Sequence, residues 1–129
     1  MSVLVAHMKA IMLVSGALTC TMVYAVVAPE AAQRQMFGES LGGPLADVIV
    51  RNWAALIVIG GAMLIHGAFH PESRPPILMM TALGKAAFIG LVLAQGGRYL
   101  SQQAVVAVVL DSVMVVLFCA YLAGTRRGD

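Results

Sequence analysis

The sequence predicts an all-α membrane protein, a four-transmembrane-helix antiparallel bundle, and three observations carry that prediction. Apolar residues make up 60% of the 129-residue chain and charged residues 11%, with a mean hydropathy of +0.91. That balance lies outside the range of soluble domains and points to lipid as the solvent. The apolar residues gather in four stretches, at roughly 4–28, 44–69, 76–97 and 103–124, each long enough to cross a hydrocarbon core of about 30 Å at about 1.5 Å per residue. The connections between them are short, which makes consecutive spans antiparallel neighbours. Residues 1–129 are therefore read as a single integral membrane domain.

The first stretch has a basic start and an Ala-rich end near Tyr24-Ala25-Val26-Val27-Ala28, features shared with secretory signal peptides. Its apolar run exceeds the roughly 7–15 residues of such a signal, so it is read as a retained span. Met8, Met12, Ser15, Thr19 and Met22 recur on one face of it, a packing stripe rather than a metal site. Pro29 ends the helix. The polar segment 30–43, EAAQRQMFGESLGG, begins helix-forming and is broken by Gly38 and Gly42-Gly43-Pro44, which predicts a short interfacial helix or cap.

The second span opens at Pro44, a favoured first-turn residue. Asp47, Arg51, Val58, Ala62, His66 and His70 share one of its faces, with Asp47 and Arg51 an i,i+4 pair of opposite sign. Gly60-Gly61 and Gly67 permit close helix approach. After the Pro-rich turn at 70–76, the third span carries Ala82, Ala86, Gly90 and Ala94 as a small-residue stripe, with Thr81, Lys85, Phe88, Val92 and Gln95 on the face beside it. The fourth span is Val- and Leu-rich, holds the single charge Asp111, and ends in the basic anchor Thr125-Arg126-Arg127. Cys20 and Cys119 come out at different depths, about 12 and 24 Å on a rise of about 1.5 Å per residue, too far apart to bridge.

Arg51, Lys85 and Asp111 sit inside apolar runs. Measured from one membrane face, Arg51 and Asp111 lie about 12 Å deep, Lys85 about 18 Å and Asp47 about 6 Å at the helical rise. A lone charge at mid-bilayer costs roughly 2.5–3.5 kcal/mol or more, so mutual pairing of Asp111 with Lys85 and Arg51 is expected. Asn52 and Tyr24 are expected hydrogen-bond partners of this cluster, and Trp53 its cover from lipid. At the opposite end His66 and His70 have metal-ligand spacing and His7 lies at a similar level. No further ligand is demanded, so no metal site is assigned and interfacial histidines are expected.

A net charge of +2 with no Lys/Arg run gives no expectation of nucleic acid. Phosphate-loop, Cys-x-x-Cys, His-Glu-x-x-His and Gly-x-Ser-x-Gly motifs are missing, and the reading leans away from an enzyme. Lys9, Arg74, Arg126 and Arg127 against Arg34 and Arg98 favour cytoplasmic termini for a multi-pass protein.

Arg51-Asn52-Trp53 in the second span, the Gly60-Gly61 middle, the turn Arg74-Pro75-Pro76 and Gly84-Lys85-Ala86-Ala87-Phe88 together resemble small bacterial membrane proteins of the broad DoxX-like kind. The resemblance covers most of the chain and implies a four-helix bundle in a bacterial inner membrane, in a group whose members are thought of as redox-complex subunits or assembly factors. No cofactor-binding motif is matched, so the redox role is not carried over. The expectation is a protein acting by binding, as an accessory or assembly subunit or as a small-ligand-binding bundle. A homo-oligomer or larger membrane complex is the expected setting, with a bound lipid or quinone as the conceivable small molecule. Two alternatives stand beside it: an oligomeric transporter or channel in which the same charges line a proton or solute path, and a quinone-linked redox subunit.

Overall fold

A computed structural model of the chain describes the backbone of residues 2–128 and the side chains of residues 3–125. The basic anchor expected at Arg126 and Arg127 lies outside the described side chains. The elements are α1 (Ser2–Cys20), α2 (Val23–Val27), α3 (Pro29–Phe37), α4 (Pro44–Phe69), a 3-10 turn (Pro71–Ser73), α5 (Arg74–Ala94) and α6 (Ala104–Gly128). Among the described residues the chain is all helix and turn, and four helical spans are long and apolar enough to cross a membrane: Val3–Val27, Pro44–Phe69, Pro71–Ala94 and Ala104–Thr125.

The first span is one helix in extent but not in geometry. Between α1 and α2 the backbone bonds tighten, with the Met22 amide donating to the Thr19 carbonyl and the Tyr24 amide to the Thr21 carbonyl. Thr19 and Thr21 turn their hydroxyls back onto the Ser15 and Leu18 carbonyls, competition with the ladder that loosens and bends helices. Pro29 ends this span by opening the next helix, since at N1 it lacks only an amide hydrogen the helix does not use. The short helix expected after it is α3. It closes on Gly38, whose φ of 79° suits glycine, and Gln102 lies so close that a Cβ there would meet its side-chain carbon at 2.9 Å.

Contacts fix the topology. α1 packs along α4 and α6 along α5, each pair antiparallel: Lys9 lies over Phe69, Gly16 against Gly61 and Cys20 against the Val58 carbonyl, while Lys85 meets Asp111 and Arg74 meets Tyr121. Where lipid is the solvent its tails are as apolar as such helices, and association would then rest on close packing rather than on escape from water. The tightest approach is at Gly16 and Gly61. A Cβ on Gly16 would stand 2.7 Å from the Gly61 carbonyl oxygen, and one on Gly61 would stand 2.8 Å from Cys20 Sγ. The stripe on α5 plays no such part within the bundle: Ala82 is buried, but Ala86, Gly90 and Ala94 are exposed, and nothing lies within 4 Å of a Cβ at Gly90.

Side-chain size divides the interior along its length. At the end holding α4's C-terminus, Met8, Met12, Leu64, Leu78 and Phe118 interlock in a filled core, so the Met face of α1 is an inner face. At the other end the buried residues are the alanines Ala25, Ala32 and Ala54, edged by Met22, Val26 and Trp53. Alanines bring α2, α3 and α4 together but leave α5 with little to fill against. Cys20 and Cys119 are both free thiols.

Candidate functional site

The residues of the expected polar cluster divide among three places. Lys85 on α5 and Asp111 on α6 form an ion pair, Nζ to Oδ1 at 3.0 Å, with side chains only 11% and 19% exposed. Lys85 also donates to Thr19 Oγ1 on α1 at 3.1 Å, and that hydroxyl in turn donates to the Ser15 carbonyl. Three helices thus meet at one ammonium, with both of its partners supplied by other helices. Thr19 was legible as part of the inner face of α1 but not as this partner; a hydroxyl on a buried face close to the depth of Asp111 is the signal that finds it.

Arg51 does not join them, contrary to the expected pairing. It binds Asp47 at 2.9 Å, both side chains 47% exposed, and donates to the Val26 carbonyl at 3.0 Å. Depth along a helix axis does not fix rotation about it, and the rotation of α4 points Arg51 at the end of α2, where a last-turn carbonyl has no amide partner. Asn52 and Tyr24 are exposed and join neither group; Trp53 covers no charge cluster but lines a cleft.

A second arginine works in the same way at the opposite end. Arg74, buried to 7% exposure, donates Nε to the Gly67 carbonyl and Nη2 to the Ala68 carbonyl, both at 2.9 Å, and Nη1 reaches Tyr121 Oη at 3.4 Å. It closes the C-terminus of α4, the negative end of that helix, from the first residue of α5. Sequence reasoning placed it in a turn as an interfacial charge. An arginine placed a few residues after a helix end, within reach of its last carbonyls, is the clue.

At Arg74's end of the molecule His66 and His70 stack, ring centroids 4.1 Å apart, with His70 Nδ1 on the His66 carbonyl; His7 Nδ1 meets the Val3 carbonyl. Among the described residues no three His, Cys, Asp or Glu side chains converge in a way that could hold a metal ion.

The cleft lies where the alanine end leaves room. About 380 Å³ in volume and open on one side, it is walled by Gln33 and Phe37 of α3, Val50 and Trp53 of α4, and Phe88, Leu91 and Val92 of α5. Glu39, Leu41, Gln95 and Tyr99 complete it from the two connecting segments. Leu41 and Leu91 are exposed at its edge. From the Gln95 level down to Trp53 it runs about 14 Å along the helices, counted from Pro44 at about 1.5 Å per residue, so the polar groups gather at its top with Phe37 and Tyr99, while Trp53 and Phe88 lie further down.

A clasp holds the top together. Arg98 Nη2 donates to both oxygens of Glu39, at 3.2 and 2.9 Å, Tyr99 Oη donates to Oε1 at 3.2 Å, and the Phe37 and Tyr99 rings meet edge to face at 5.2 Å. The hydrogen bond from Arg98, then that from Tyr99, holds the Glu39 carboxyl below its usual range, and Glu39 in turn raises Arg98. Gln33 ties the other side: its amide donates to the Pro29 carbonyl and accepts from the Leu41 amide.

Comparison of the chain with protein-family models, with curated proteins and with solved structures gives no match in any of the three.

Proposed function

We propose that the protein acts by binding, as a small accessory or assembly bundle of a bacterial inner membrane, and that its cleft takes up a lipid-soluble molecule from the bilayer. The observation that carries this reading is the cleft itself: about 380 Å³, mainly apolar and aromatic, with a few polar groups at one end, the composition and size of small-molecule sites in general. Leu91, which lines the cleft and is exposed, offers an apolar edge suited to entry from the bilayer. The tight coordination of Lys85 by Asp111 and Thr19 supports a structural role for that pair rather than a solute path. The resemblance of its sequence layout to DoxX-like proteins supports an accessory setting, and the Lys/Arg balance of its flanks supports termini in the cytoplasm.

Protein purified in mild detergent is expected to carry a lipid-soluble compound at near-stoichiometric level, measured by solvent extraction and mass spectrometry. Leu91→Trp fills the cleft from an exposed position and is expected to reduce that cargo at least about tenfold, a difference of about 1.4 kcal/mol. Equal cargo in parent and variant overturns the reading.

A further inference from the structure

The geometry points to an uncharged, ring-bearing amphiphile with a carbonyl or hydroxyl head as the occupant of the cleft, in preference to a phospholipid or any charged surfactant. This rests on the cleft being the ligand site and adds the chemistry it selects. Its charge is already spent. Glu39, the charged residue that lines the cleft, accepts from Arg98 through both oxygens and from Tyr99 through one, so its charge is already neutralised, and Arg98 itself is not part of the lining. No other charged residue lines the cleft.

What remains at the top is neutral hydrogen-bonding capacity. Gln95 lines the cleft with a side-chain amide that makes no hydrogen bond among the described residues. Gln33 uses one amide hydrogen on Pro29 and accepts from Leu41, leaving the second hydrogen available. Below them Trp53 and Phe88 offer aromatic surface from two facing helices, and aromatic rings favour offset or edge contacts with a flat ring. A charged head here would lose water and gain no counter-ion, whereas a carbonyl meets an amide donor.

Trp53 is the only tryptophan in the chain and so reports on the cleft. In lipid nanodiscs, dodecanophenone, a neutral aryl ketone, is expected to quench Trp53 emission saturably. Dodecylbenzene, which lacks the carbonyl, dodecylbenzenesulfonate and benzyldodecyldimethylammonium then compete for it, with concentrations counted per lipid. The two charged competitors are expected to bind at least about tenfold more weakly than the ketone. Gln95→Leu is expected to weaken the ketone severalfold while leaving dodecylbenzene unchanged. A charged competitor that matches or exceeds the ketone overturns the ligand class and leaves the cleft as a binding site. An equal effect of Gln95→Leu on ketone and hydrocarbon overturns the role of the head group. Failure of the ketone to quench saturably overturns the ligand class, and a lack of near-stoichiometric extracted cargo, or equal cargo in Leu91→Trp, overturns the cleft reading itself.

Discussion

Lys85 and Asp111 are worth more to each other than either is to the bundle. Removing one leaves the other as an unpaired charge among apolar side chains, which costs about 3–5 kcal/mol in comparable buried pairs, whereas replacing both by apolar residues is close to neutral. Lys85→Met and Asp111→Leu are each expected to lower stability by roughly that amount, with most of it recovered in the double variant. Thermal unfolding in detergent checks this; a double variant as unstable as the sum of the singles would contradict the pairing. The sequence carried part of this arrangement. A cation and an anion at similar depth on helices that follow each other in the chain are bound to seek one another. Arg51 shows the limit of that argument, because a backbone carbonyl can meet an arginine as well as a carboxylate can, and carbonyls leave no mark in a sequence.

Among the helices, glycine has two different meanings in this chain. Gly16 and Gly61 face each other across the α1 and α4 crossing, and a methyl group on either would drive into backbone or sulfur. Gly90 faces open space. Gly16→Ala is therefore expected to destabilise the bundle by about 1–3 kcal/mol as the helices are forced apart, while Gly90→Ala is expected to be neutral or to stabilise by up to about 1 kcal/mol through helix propensity. Unfolding of the two variants side by side in detergent measures the contrast. Spacing alone favoured the α5 stripe over Gly16, since an unbroken i,i+4 series stands out and a single glycine facing another does not. The four long helices themselves were legible because length and apolar content, enough to match a bilayer's thickness, are properties internal to each helix. Crossing points depend on two helices at once.

For the molecule as a whole, the unequal filling of its two ends decides where the cleft opens. That inequality comes from Ala25, Ala32 and Ala54 meeting across three helices, which is why the cleft could not be read from the chain although Trp53 could be singled out. The clasp above it responds to pH in a set direction. Glu39 titrates below its usual range when bound to Arg98 and Tyr99, so the stability it lends is complete above the ordinary carboxylate pKa and is lost as pH falls through the lowered value. Arg98 is raised and stays charged throughout. With spin labels at Gly42→Cys and Ser101→Cys, in a background without Cys20 and Cys119, pulsed electron resonance is expected to show one short distance at neutral pH and a broadened one on strong acidification. Glu39→Gln is expected to give the broadened distribution at neutral pH, and no change in either condition would show that the clasp does not hold the two segments.

The Lys85 ion pair also has a meaning in time. A membrane chain enters the bilayer from its N-terminal end, so α5 arrives with its lysine before α6 supplies the aspartate 26 residues further on. During that interval the Thr19 hydroxyl is the other partner that the folded bundle gives the ammonium, and a single hydroxyl does little against an insertion penalty of roughly 2.5–3.5 kcal/mol. The helix made later is thus the one that neutralises the lysine of the helix made before it, so α5 would be settled in a bilayer only once α6 has joined it.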